Sequence, residues 1–186
     1  SWNITAVRTQ PGSVCMLLDV NTAHNDVFVS EDLKTVSWSE INQSRPETPE
    51  RFQYCAQVLS SSSLTTGRYY WEVEVSESGE WMVGMAYPSI KRRGRQSMIG
   101  NNMKSWVLGR KHDNSQYSVR HDSKEIQLPH SSSCRRFGIL LDYEAGRLSF
   151  YELCEPKRHI HTCTATFTEP LHAIFGVYEE NTWLRI

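Results

Sequence analysis

Residues able to do chemistry gather in two places along the chain. His159, His161 and Cys163 recur at every second position, and Cys154 lies a little upstream. On a strand that spacing projects the three side chains from one face, and imidazole with thiolate is a zinc-type ligand set. The paired knuckles of a structural zinc site are missing, however, because no Cys-x-x-Cys pair occurs. Ile160, Thr162, Thr164 and Thr166 suit a half-exposed strand, so ordinary strand side chains and no bound metal are expected. Hydrolytic chemistry fares no better: none of the seven histidines accompanies a Gly-x-Ser-x-Gly elbow or a catalytic-type cysteine motif. Gly94, Gly100 and Gly109 lie in a polar stretch rather than at the strand-to-helix junction of a phosphate-cradling loop. No enzymatic activity is expected of this chain.

The second place is electrostatic. Between Trp81 and His112 there is no Asp or Glu, whereas Lys91, Arg92, Arg93, Arg95, Lys104, Arg110 and Lys111 all fall there. The chain as a whole is nearly neutral, with Lys+Arg 20 against Asp+Glu 21, so this is a local positive patch beside Tyr87, Trp106 and Tyr117. Arginine among aromatics suits a protein hot spot or stacked single-stranded nucleic acid. An acidic protein partner is favoured over RNA, because the patch is short and the whole chain is not basic. A merely solvated loop is the bland alternative.

The elements that must position these residues are strands. In Tyr69-Tyr70-Trp71-Glu72-Val73-Glu74-Val75, one face is apolar and the other can meet water. Similar short stretches are expected at 14–18, 27–29, 35–38, 57–59, 81–87, 106–108, 116–120, 126–128, 136–142, 147–152, 159–167, 173–178 and 183–186. Their rhythm of roughly 8–12 residues is that of a sandwich or barrel. Gly146, after Asp142-Tyr143-Glu144-Ala145, suits a hairpin, and Ser76-Glu77-Ser78-Gly79 reads as another. Asp19 to Asn25 allows a single helical turn, and no segment sustains helical spacing for three turns. Residues 42–49 with two prolines, 88–105 and the polar turn 130–133 are expected to be loops, where binding residues concentrate.

The 186 residues, 39% hydrophobic and 11% aromatic, are the size of one domain with its own core. Residues 1–13 read as a linker or N-terminal extension and 14–186 as the domain. Five scattered cysteines form an odd set. Reduced, buried thiols in a cytoplasmic setting are the expectation, with no membrane insertion, since no apolar run or leader is seen.

Three ordered signatures then carry a resemblance. Leu18-Asp19 with Thr22-Ala23-His24 and Val27–Val29 comes first; Glu50-Arg51-Phe52 followed by Tyr69-Tyr70-Trp71-Glu72-Val73 comes second; Leu141-Asp142-Tyr143-Glu144-Ala145-Gly146 with Leu148-Ser149-Phe150-Tyr151 comes third. The chain resembles the PRY-SPRY domain at the C-terminus of many tripartite-motif (TRIM) ubiquitin ligases, and is similar to that of butyrophilins and some innate-immune receptors. Val20 departs from the usual proline. The resemblance implies an all-β fold, a bent antiparallel β-sandwich of the concanavalin-like jelly-roll type with long loops at one end. The PRY part would span about 14–65 and the SPRY part about 66–186. It implies a protein-interaction module that selects the target of a TRIM-type E3 ligase, in innate immune or antiviral signalling. Zinc and dimerisation would belong to RING, B-box and coiled-coil regions of a full-length parent, leaving no cofactor here. RNA binding by the basic loop face is the alternative, as is a butyrophilin or receptor parent.

The family's binding face maps onto Gln53, Tyr54, Gly109, Arg110, Lys111, Asp113, Tyr178 and Glu179. Basic residues Lys91, Arg92, Arg93, Arg95 and Lys104 stand beside it. The member that grips antibody Fc has tryptophans where Gly109 and Lys111 stand here, so a more polar and basic surface is expected. Arg110 and Lys111 are expected to be exposed, and Trp71, Trp81 and Trp106 to be core.

Overall fold

Alternation of apolar and polar residues builds two antiparallel sheets. The structure, a computed structural model, describes residues 14–112, 116–131 and 133–186. Its strands are β1 (Val27–Val29), β2 (Thr35–Trp38), β3 (Gln57–Leu59), β4 (Arg68–Val75), β5 (Trp81–Ala86), β6 (Ser105–Arg110) and β7 (Gln116–His121). They continue as β8 (Lys124–Ser131), β9 (Arg136–Asp142), β10 (Arg147–Glu152), β11 (Arg158–Thr164), β12 (His172–Val177) and β13 (Trp183–Arg185). One sheet runs β1-β2-β13-β4-β9-β10-β11 and the other β3-β12-β5-β6-β7-β8. Among the described residues the longest helical piece is one 3-10 turn, Arg95–Ser97.

The inward faces pack an aromatic centre. Trp81 lies 5.4 Å from Phe137, and Tyr117 meets Phe137 edge-on at 5.2 Å. Trp106 takes Tyr87 and Phe167 edge-on, each at 5.2 Å. Trp71, Trp81 and Trp106 are all buried, as expected. A second apolar cluster covers the outside of the six-stranded sheet, where Phe52, Ile90 and Ile99 lie over Leu59, Met82, Val107 and Ile174. That sheet is therefore buried on both faces over part of its area.

Several local expectations are corrected. Residues 14–18 are not a strand; Leu18 makes one bridge to Ser60, and its N–H is taken by Leu33 O at 2.8 Å. Residues 19–25 form turns, with Thr22 N bonded to Asp19 O at 3.0 Å, rather than a helix. Ser76–Gly79 is not a hairpin: β4 and β5 sit in different sheets, and the segment crosses between them. Asp142–Gly146 is the expected hairpin, and Gly146 adopts φ +67°. The expected turn at 130–133 is displaced, because β8 runs to Ser131. It is an edge strand whose irregular pairing between Gln116 and Ser118 accommodates Pro129.

The thiols also differ from expectation. Cys134 and Cys154 are disulfide-bonded, with Cα atoms 5.7 Å apart. The β9–β10 pairing that places Phe137 opposite Glu152 continues outward to bring them together, with Leu153 N donating to Arg136 O at 3.0 Å. Cys15, Cys55 and Cys163 are free.

Candidate functional site

Three distant segments converge on the outside of the six-stranded sheet. The register sets Gln57, Gly176, Met82, Gly109, Ser118 and Gln127 in one row across its strands. Two glycines in that row leave room that neighbouring side chains occupy. A Cβ on Gly176 would strike the Tyr178 hydroxyl, and one on Gly109 would meet Met82 Cγ at 2.8 Å. Gly109 therefore offers a partner no side chain; it makes room for Met82.

Gln57 is the hub of this face. Its Nε2 donates to Ser97 O at 2.5 Å, and its Oε1 accepts from Ile99 N at 3.3 Å and from the Tyr178 hydroxyl at 3.2 Å. The hub ties β3 to the 88–105 loop and to the segment after β12. A glutamine opening the apolar triplet Gln57-Val58-Leu59 was the sequence signal for it. Burial pushes the Tyr178 phenol well above its usual value, with the charges of Cys55 and Glu80 acting in the same direction. Val177 N bonds to Ala56 O at 3.0 Å and Gln53 N to Arg92 O at 2.8 Å. The Gln53–Tyr54 segment is thereby fastened on both sides, and Tyr54 keeps 52% of its surface exposed.

At the other end of the face, charges interlock. His112 Nδ1 lies 2.5 Å from Glu179 Oε2, so the loop after β6 touches the loop after β12. Lys111 Nζ and Arg120 Nη2 hold the two oxygens of Glu125 at 3.1 and 3.3 Å. Burial raises the Glu80 pKa, with Arg120, Lys111 and His112 opposing and Glu179 reinforcing the shift. Lys111 is exposed as expected; Asp113 lies outside the described residues.

Arg110 is a correction. It is buried, because position 110 continues the inward face of Trp106 and Leu108; its Nη2 donates to Ser76 O at 3.0 Å. Arg92 is half-buried and holds backbone carbonyls, while Lys91, Arg93 and Arg95 are exposed and Lys104 is half-buried. Arg51, in the Glu-Arg-Phe signature, is also internal. It donates to Pro46 O, Val20 O and Ala23 O at 2.7–2.9 Å, which pins the turn after Leu18 to the 46–50 loop.

The alternating His159, His161 and Cys163 do not share a face. A bulge between Phe150 and Tyr151 sets His159 opposite Tyr151 and His161 opposite Phe150. Cys163 is buried, whereas His159 reaches outward to Thr162 Oγ1 at 2.7 Å. Among the described residues no three His, Cys, Asp or Glu side chains group as metal ligands.

A face assembled from separate loops over a rigid sheet is the arrangement of a binding module, and comparison with known proteins decides which one. The SPRY domain model matches residues 68–185, and the SPRY-associated domain (PRY) model matches residues 16–64. The chain belongs to the PRY-SPRY family. This PRY-SPRY chain is 38% identical over 165 residues to tripartite motif-containing protein 14 of Mus musculus, covering 87% of the chain and 37% of the relative. It is 38% identical over 176 residues to butyrophilin subfamily 2 member A2 of Homo sapiens, covering 94% and 33% respectively. The solved TRIM65 PSpry domain superposes with TM-score 0.80 at 27% identity, covering 94% of this chain and 96% of that one. The chain thus spans about a third of the length of these two curated relatives. The fold is the expected antiparallel β-sandwich, and the PRY-SPRY domain is a protein-interaction module. Among the described residues, no helix is long and apolar enough to cross a membrane.

Proposed function

We propose that this PRY-SPRY domain selects the target of a TRIM-type E3 ubiquitin ligase in cytoplasmic innate immune signalling, reading a protein surface with its loop face. The observation that carries the reading is the Gln57 hub, which holds three separate segments in one fixed arrangement beside exposed Tyr54 and Lys111. Pre-fixed loops reduce the ordering cost of binding, and tyrosine is a preferred interface anchor. Catalysis, zinc and dimerisation are assigned to RING, B-box and coiled-coil regions of the parent, not to this domain. The 38% identity to a butyrophilin supports a second parentage with the same recognition mode.

Affinity capture with the chain and its Tyr54→Ala, Lys111→Glu and Tyr178→Ala variants tests this. Loss of the same captured proteins with the first two variants supports the face. Capture unaffected by all three but abolished by Tyr151→Glu, on the outer side of the seven-stranded sheet, would overturn it. A salt titration separates RNA, whose binding weakens steeply as counterions are released, from an aromatic-anchored protein interface.

A further inference from the structure

Residues 47–50 and 88–93 form the two walls of an open cleft of about 820 Å³, within the roughly 300–1,000 Å³ range of ligand sites. Pro49, Pro88 and the buried Ile90 give its lining an apolar part. Arg92 fixes its width. The side chain donates to Glu50 O at 2.6 Å on one wall and to Pro88 O at 2.6 Å and Ile90 O at 3.1 Å on the other. The same guanidinium lies 4.8 Å over the Phe52 ring. One half-buried residue therefore spaces the walls before any ligand arrives.

Two carboxylates, Glu47 and Glu50, and three cations, Lys91, Arg92 and Arg93, line this cleft, and the Glu50 charge acts on Arg92, which leaves Lys91 in excess. Arg93 is paired with Glu47, and Arg92 is spent on backbone carbonyls. Lys91 Nζ donates to the neutral Gln96 Oε1 at 2.8 Å. Arg95, two residues beyond the lining, is exposed. Among the described residues no aromatic ring lines the cleft, and Phe52 is buried, so the lining gives a nucleic-acid base no ring to stack on.

We infer that this cleft seats an extended acidic segment of the protein partner, its carboxylate meeting Lys91 and Arg95 while a neighbouring apolar side chain packs on Pro49 and Pro88. The inference rests on the protein-recognition reading above and adds the partner's chemistry. Proline on both walls withholds backbone donors, so side chains, not strand addition, carry the specificity.

The test uses fluorescein-labelled peptides with Glu-Leu-Glu cores, a matched set with lysine in place of glutamate, and oligouridylate as the RNA probe. Acidic peptides should bind and shift the amides of Glu50, Ile90 and Lys91. The double change Lys91→Glu with Arg95→Glu should weaken them by about tenfold or more, while Arg147→Glu, at an exposed position on the seven-stranded sheet, leaves them unchanged. Absence of binding by acidic peptides, equal binding of the lysine set, displacement by oligouridylate, or shifts confined to Tyr178 and Lys111 would each overturn the assignment. If the cleft variants leave partner capture intact while Lys111→Glu abolishes it, the cleft fails and the recognition face stands.

Discussion

Arg110 holds its guanidinium 5.8 Å from the Trp81 ring, inside the sandwich rather than on the recognition face. Its donors satisfy Ser76 O at 3.0 Å and Gly79 O at 3.3 Å, the carbonyls of the crossing between the two sheets. Arg110→Ala leaves the Ser76 carbonyl unpartnered and should cost about 2–4 kcal/mol. Arg110→Lys should recover only part of this, because a single ammonium cannot reproduce the fork. Urea unfolding measures both, and an unchanged midpoint for Arg110→Ala would contradict this role.

Alkaline pH should destabilise the domain. Burial lifts the Cys163 thiol from 9.0 to about 11 and raises Tyr178 as well. Between those two pH values the unfolded chain releases protons that the folded chain keeps. The contribution of Cys163 is thus intact below about pH 8 and drains as pH rises to about 11, at up to ~1.4 kcal/mol per pH unit. Cys163→Ala should make the profile of unfolding midpoint against pH less steep, with the contributions of Cys55 and Tyr178 remaining. A wild-type profile that is flat from neutral to pH ~11 would refute the proton linkage.

Glycines on the outside of the six-stranded sheet should resist substitution. A Cβ at Gly84 would lie 1.9 Å from Trp106 O, which belongs to the backbone of β6 and cannot swing aside. Gly84→Ala should cost about 2–3 kcal/mol, as overpacking does. Gly109→Trp should lower the melting temperature instead of simply adding a contact, because Trp81 O and Met82 Cγ both stand 2.8 Å from its Cβ position. Thermal melts of both variants provide the check.

Thiol counting tests the bridge between Cys134 and Cys154. Alkylation of the denatured, unreduced chain should label Cys15, Cys55 and Cys163 alone, with two more sites appearing after reduction. Reduction opens the loop that the bridge closes in the unfolded chain, and for a sequence separation of 20 the stability lost should be about 3 kcal/mol. Mass spectrometry and unfolding with and without reductant read both outcomes.

What the sequence made legible was local. Arg136–Asp142 and Arg147–Glu152 were bounded correctly because alternation and the Gly146 turn act within a few residues. Trp71, Trp81 and Trp106 were placed in the core by size and strand setting. Arg110 was misplaced because its burial depends on carbonyls more than 30 residues away, at Ser76 and Gly79. The Cys134–Cys154 pairing depends on which strands become neighbours, and the bulge that parts His159 from His161 shows only in the register. Of the face itself, Tyr54 and Lys111 were visible as candidates, while the role of Gln57 depends on partners at Ser97 and Tyr178, 40 and 121 residues away.

The position of β13, between β2 and β4, bears on how the molecule is made. Among the described residues, the strand pairing that links β2 to the main body of its sheet runs through Trp183–Arg185. During translation the place of β1 and β2 in the seven-stranded sheet stays open until this late triplet leaves the ribosome. Truncation just before it should release a sticky, chaperone-bound intermediate, not a slightly shorter domain.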